Sequence, residues 1–208
     1  MLTRVSPWLI LLAGLAAFFT PSAAWAQAKP AAAAKTKIPP TTVYLVRHAE
    51  KDSTSDPLDP TLSVAGQLRA QALRQTLAKH HPVALFTTDT KRTRATLAPL
   101  ADALKLEPQV YDAKYGHDLA DRILKEYAGK TVVVVGHSNT ILPFIDDLGG
   151  TAPVDEIGEN EYDYLFTVRV APGLQPTVGM GGYGAERKPA AKASAKAAPK
   201  ATPPAPVK

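Results

Sequence analysis

The sequence predicts an α/β domain with a mostly parallel central sheet and helices on both faces. Two observations carry this. Short β-prone apolar runs alternate along the chain with stretches of helical periodicity. The strongest runs, Val43-Tyr44-Leu45-Val46 and the Val-rich segment Thr131–Val135, are continuously apolar rather than alternating, which is the pattern of strands covered on both sides.

The first strand is read at Thr42–Val46. Ser63 is a plausible N-cap for a helix in which Val64, Leu68, Ala72, Leu73 and Leu77 recur at helical spacing. Val83–Phe86 and Gln109–Tyr111 are weaker strands. Arg92–Leu104 reads as a second helix, with Pro99 predicting a kink or break inside it. Asp118–Tyr127 is a third helix, carrying Leu119, Ile123 and Tyr127 on one face and terminated near Gly129. Thr140–Leu148 is a fourth, with Pro143 in its first turn and Gly149-Gly150 at its end. Tyr164–Val170 and Thr177–Met180 are late strands, expected at an edge of the sheet.

The domain is framed by segments of different character. Residues 1–26 have a basic Arg4, an apolar run from Trp8 to Phe19, the breaker Pro21 and small residues at Ala24 and Ala26. This is the secretory pattern, and the apolar run is too short for a spanning helix. Cleavage after Ala26 and a periplasmic or secreted location are expected. Residues 27–40 and 187–208 are dominated by Ala, Lys and Pro and lack the apolar content to order themselves. The folded domain is therefore bounded at 41–186.

The charge follows the same division. The 208-residue chain has 24 Lys and Arg against 19 Asp and Glu. All 19 acidic residues lie within 41–186, where they outnumber 14 basic ones, and six basic residues lie in the C-terminal tail. The positive balance belongs to the tails and the domain is acidic. That argues against nucleic acid as a partner. The tail reads as a solvated tether, or as a loose attachment to anionic envelope surfaces. With no cysteine in the chain, a disulfide framework, a thiol nucleophile and a Cys-ligated zinc site are excluded.

Ligands of open α/β sheets bind beyond the carboxyl ends of the strands. Arg47-His48-Ala49-Glu50 follows the first strand directly. Thr87 to Arg92 follows the second. Asp112, and further on His117-Asp118, follow the third, and Gly136-His137-Ser138-Asn139 follows the Val-rich one. Two histidines and two arginines at successive strand ends describe a pocket for a dianionic phosphoryl group. Arginine matches phosphate oxygens with paired donors and keeps its charge. Neutral imidazole can attack phosphorus and then leave, which suits a covalent phosphoenzyme. Adjacent guanidinium groups repel a cation, and no metal-ligand spacing is present, so no metal or other cofactor is expected.

These residues resemble the histidine phosphatase superfamily, the phosphoglycerate-mutase-like group, in its small single-domain bacterial branch. The matching stretches are VYLVRHAEK at 43–51, TLSVAGQLRAQAL at 61–73, TTDTKRTRAT at 87–96, VVVVGHSNT at 132–140 and ENEYDYLFTV at 159–168. The resemblance implies that His48 is the phosphorylated nucleophile and that Arg47, Arg92 and His137 bind and polarise the phosphoryl oxygens. Thr87 and Thr88 stand where many members have serine. For the proton donor, Asp112 holds the family's position after the third strand, with Asp118 and Glu50 as rivals and capping of the following turn as the structural alternative. His80, His81 and His117 are given no role. The implied activity is a metal-independent phosphatase acting on a phosphomonoester or phosphohistidine, with a small phosphorylated molecule or a phosphoprotein as partner. A phosphate-moving mutase and a catalytically weak phosphate-binding module are the alternatives.

Overall fold

The computed structural model describes residues 39–186. The segments expected to be a leader, a linker and a tail lie outside these residues, apart from the last two of the linker. A single six-stranded sheet is built from β1 (Thr41–Arg47), β2 (Ala84–Thr87), β3 (Gln109–Val110), β4 (Thr131–Gly136), β5 (Tyr164–Val170) and β6 (Thr177–Gly182), in the spatial order β3-β2-β4-β1-β5-β6. The first four strands are mutually parallel, while β5 runs antiparallel to β1 and β6 antiparallel to β5. Of the two late strands, β6 is the edge; β5 is inside, between β6 and β1.

The four helices are α1 (Val64–Leu77), α2 (Lys91–Leu104), α3 (Gly116–Glu126) and α4 (Ser138–Asp147). Successive strand residues point to opposite faces, and both faces are covered. Val43, Leu45, Phe86, Val132 and Val134 pack with Leu119, Ile123, Ile141 and Ile145 of α3 and α4. Tyr44, Val46, Leu85, Val133 and Val135 pack with Leu73, Leu77, Leu97 and Leu100 of α1 and α2. This two-sided burial is why the parallel strands read as unbroken apolar runs.

Several boundaries differ from the sequence reading for local reasons. Helix α2 starts at Lys91, capped by Thr90, and continues through Pro99 to Leu104 without a break. Leu97, Leu100 and Ala101 are buried on either side of the proline. Packing of that face outweighs the one helical hydrogen bond that proline cannot make. Helix α4 begins at Ser138, two residues earlier than expected, because Thr140 Oγ1 accepts the His137 N–H at 3.0 Å. Pro143 therefore lies in the second turn instead of the first. Helix α3 also starts two residues early, directly after a short 3-10 turn at Ala113–Tyr115.

The segment after β1 is gripped from several sides. The Ala49 N–H donates to Thr96 Oγ1 at 2.9 Å, and the Glu50 carbonyl accepts the Ser63 N–H at 2.9 Å. Ser63 is the α1 N-cap, and its Oγ accepts the Gly66 N–H at 3.1 Å. Arg69 of α1, itself buried, holds both Glu50 carboxylate oxygens at 3.0 Å through Nε. Gly66 is needed here because of close approach: a Cβ would stand 2.3 Å from the Glu50 carbonyl oxygen. Gly66→Ala is expected to cost roughly 1–3 kcal/mol, the usual penalty of overpacking, measured by chemical denaturation. It should also depress activity, since Glu50 is two residues from His48.

Candidate active site

The sheet register places the chemistry. Arg47 at the end of β1 pairs with Gly136 at the end of β4, so His48 and His137 are the first residues beyond two neighbouring strands. The His48 N–H donates to the Gly136 carbonyl at 2.9 Å. Their ring centroids are 5.5 Å apart in an edge-on arrangement. A side chain at Gly136 would crowd the site: a Cβ would meet Thr140 Oγ1 at 2.9 Å and Tyr111 Oη at 3.0 Å. Arg92 comes from the first turn of α2. The structure thus brings Arg47, His48, Arg92 and His137 to one cavity of about 440 Å³ beyond the parallel strand ends.

His48 is buried, and its Nδ1 lies 2.8 Å from the Ala49 carbonyl oxygen. A carbonyl only accepts, so Nδ1 carries the proton and Nε2 carries the lone pair. Burial, with the charges of Arg47 and Arg92 and the presence of His137, holds the His48 pKa down to about 3, against the opposing effect of the Ala49 hydrogen bond. The ring is neutral and nucleophilic at physiological pH.

His137 closes a chain of hydroxyls. Thr88 Oγ1 donates to Thr93 Oγ1 at 3.0 Å, so at 2.9 Å it accepts from His137 Nε2. His137 Nδ1 then faces Arg92 Nη2 at 3.4 Å. Burial, then Arg92 and Arg47, lowers the His137 pKa to about 4. Thr88 thus orients a ring that can turn its Nε2–H to an anionic oxygen.

Arg47 is buried and held by its surroundings. Its Nη1 donates to the carbonyls of Gly158 at 2.7 Å and Glu159 at 3.0 Å, and its guanidinium lies 4.3 Å above the Tyr162 ring. Its Nε is buried without a hydrogen-bond partner. Arg92 is mostly buried, with Nη1 3.7 Å from Asp59, whose carboxylate also accepts the Lys91 N–H at 3.0 Å. The loop between β1 and α1, with Pro57, Leu58 and Pro60 on the cavity wall, is pinned at that point.

The acids are distributed differently. Asp112 is exposed, and its Oδ1 accepts the Lys114 N–H at 2.9 Å, capping the 3-10 turn. It lines a neighbouring hollow with Thr88 and His137, whose lining does not include His48. Asp118 is exposed in the first turn of α3. Glu50 is taken up by Arg69. His80 stacks on Tyr44, His81 ends the turn after α1 in a left-handed conformation, and His117 is exposed between Asp121 and Asp147. The cavity is also lined by one acidic residue that the sequence reading gave no role, Glu159, together with Lys51. Tyr162, which stacks on Arg47, was also passed over. All but Lys51 belong to the irregular segment before β5, within the stretch 159–168 that carries part of the resemblance but whose residues were given no role.

The depressed basicity of both rings has a direct consequence. Their imidazole resonances in an NMR titration should stay at neutral-ring positions from pH 8 down to about pH 5. A midpoint near the ordinary histidine value of about 6.5 in either ring would contradict the described electrostatics.

The family model of the histidine phosphatase superfamily (branch 1) matches residues 43–113. No curated protein matches the chain by sequence. Solved structures share the fold. The protein histidine phosphatase SixA complexed with tungstate superposes with a TM-score of 0.54 at 17% identity, covering 68% of this chain and 96% of that one. A putative phosphohistidine phosphatase SixA from Agrobacterium tumefaciens gives 0.53 at 19% identity, covering 71% and 99%. Phosphoserine phosphatase from Entamoeba histolytica, in complex with 3-phosphoglyceric acid, gives 0.53 at 15% identity, covering 70% and 98%. Identities this low speak for the fold alone. The family-model match thus spans β1 to β3, and the described domain shares the fold of these phosphatase structures.

Proposed function

We propose that this chain is an exported, metal-independent phosphatase that hydrolyses a phosphomonoester or phosphohistidine through a phosphohistidine on His48. The observation that carries the reading is the His48 ring. It is buried and neutral, its Nδ1 proton is given to the Ala49 carbonyl, and its Nε2 lone pair is left for chemistry in a cavity walled by two guanidinium groups and a second imidazole.

The reaction follows in two steps. The substrate's phosphoryl dianion settles against Arg47 and Arg92, whose charge reduces its repulsion of an incoming lone pair. His48 Nε2 attacks phosphorus in line, the bond to the leaving oxygen or nitrogen breaks, and the leaving group takes a proton. The phosphorylated ring bears positive charge, which the Nδ1–H bond to Ala49 stabilises. Water then attacks phosphorus, the P–N bond breaks, and inorganic phosphate leaves. His137 and Arg92 meet the charge that builds on the equatorial oxygens. The flanking guanidinium groups disfavour a divalent cation at the same place, which supports metal independence. The leader-like block at 1–26 supports export. The names of the structural neighbours, a protein histidine phosphatase and a phosphoserine phosphatase among them, support both substrate classes without choosing between them.

His48→Ala is expected to lower turnover of an aryl phosphate by about 10³-fold or more, with an unchanged circular dichroism spectrum. Activity within tenfold of the wild type would refute the nucleophile. Tungstate or vanadate should inhibit and EDTA should not; loss of activity in EDTA, restored by a divalent metal, would overturn metal independence.

A further inference from the structure

Resting on that phosphatase reading, the geometry points to Glu159, the acid of the loop between α4 and β5, as the proton donor to the leaving group and the acceptor of the proton from water. Asp112, the acid indicated by chain position, caps a turn and lines a different hollow. The other acids around the site are occupied. Glu50 is bound by Arg69, Asp59 takes the Lys91 N–H and Arg92, and Asp89 pairs with Arg94 at 2.8 Å. Among the residues lining the cavity that holds His48, Glu159 is the carboxylate.

Its backbone is fixed while its side chain is free to act. The Glu159 carbonyl accepts from Arg47 Nη1 at 3.0 Å, and Glu161 braces the same turn by accepting the Gly158 N–H at 2.9 Å. The Glu159 side chain is 82% exposed and meets Lys51 at only 3.9 Å, a loose surface pair. The position also suits in-line displacement. His48 is on the buried floor, so the bond that breaks points away from it, toward the mouth where Glu159 stands.

The proton balance closes. Protonated Glu159 gives its proton to the departing alkoxide as the P–O bond breaks and the P–Nε2 bond forms, releasing the alcohol and leaving a carboxylate. That carboxylate removes a proton from the attacking water as the P–N bond breaks, so phosphate departs and both His48 and the acid are restored.

The test is a leaving-group series with the full mature chain. kcat/KM reports steps up to release of the alcohol, so it isolates the protonation of the leaving group. For Glu159→Gln, kcat/KM is expected to fall only a few-fold with p-nitrophenyl phosphate, whose leaving group needs little protonation. With an alkyl phosphate it should fall about 100-fold or more. Glu159→Asp should recover part of the alkyl phosphate rate. An equal fall across the series, or no fall with alkyl phosphates, would overturn the assignment. Absence of turnover of any phosphate ester or phosphohistidine peptide by the wild type would instead overturn the phosphatase reading, so the two failures are distinguishable.

Discussion

The site depends on one hydrogen bond, from His48 Nδ1 to the carbonyl oxygen of Ala49. It fixes the tautomer, and the tautomer decides which ring nitrogen can attack. The bond is only as good as the placement of Ala49, and much of the molecule serves that placement. Thr96 of α2 takes the Ala49 N–H, Ser63 and Gly66 of α1 press on the Glu50 carbonyl, and Arg69 secures the Glu50 side chain. Arg69 also donates to the carbonyls of Tyr183, at 2.7 Å, and Ala185, at 3.0 Å. The chain just past β6 is therefore tied to the residue two positions after His48. The two helices on one face of the sheet act as a vice on Ala49 and Glu50.

Charge does the rest. Two buried or mostly buried guanidinium groups make a protonated imidazole costly beside them, and burial adds to that cost. The same cations attract a phosphoryl dianion. Under the proposed reading, a single arrangement thereby keeps the His48 ring neutral and attracts the phosphoryl group. Arg47 is held in place by backbone carbonyls and by the face of Tyr162, not by a carboxylate, so its charge stays available to an anion.

What the sequence disclosed follows from how local each feature is. The parallel strands are apolar on both faces, so they were visible as runs, and Arg47, His48 and His137 follow them without an intervening loop. Arg92 is similarly close to β2. The strand boundaries moved little for the same reason. Pro99 misled because propensity is a local quantity, whereas the burial of Leu97 and Leu100 that carries α2 past it is tertiary. The acids are less legible for a related reason. Asp112 occupies a sensible chain position, but its side chain satisfies the nearest N–H. Glu159 reaches the cavity only because the segment before β5 folds back onto Arg47 across more than a hundred residues of sequence. The stretch at 159–168 resembles family members, but no periodicity encodes that return.

The most direct measurement of the central claim is the position of the phosphoryl group on the trapped intermediate. Rapid mixing with substrate, alkaline denaturing quench and ³¹P NMR, with mass-spectrometric mapping of the modified peptide, would give both the residue and the nitrogen. The account predicts phosphate on Nε2 of His48. Phosphate on Nδ1 of that ring, or on another residue, would contradict it.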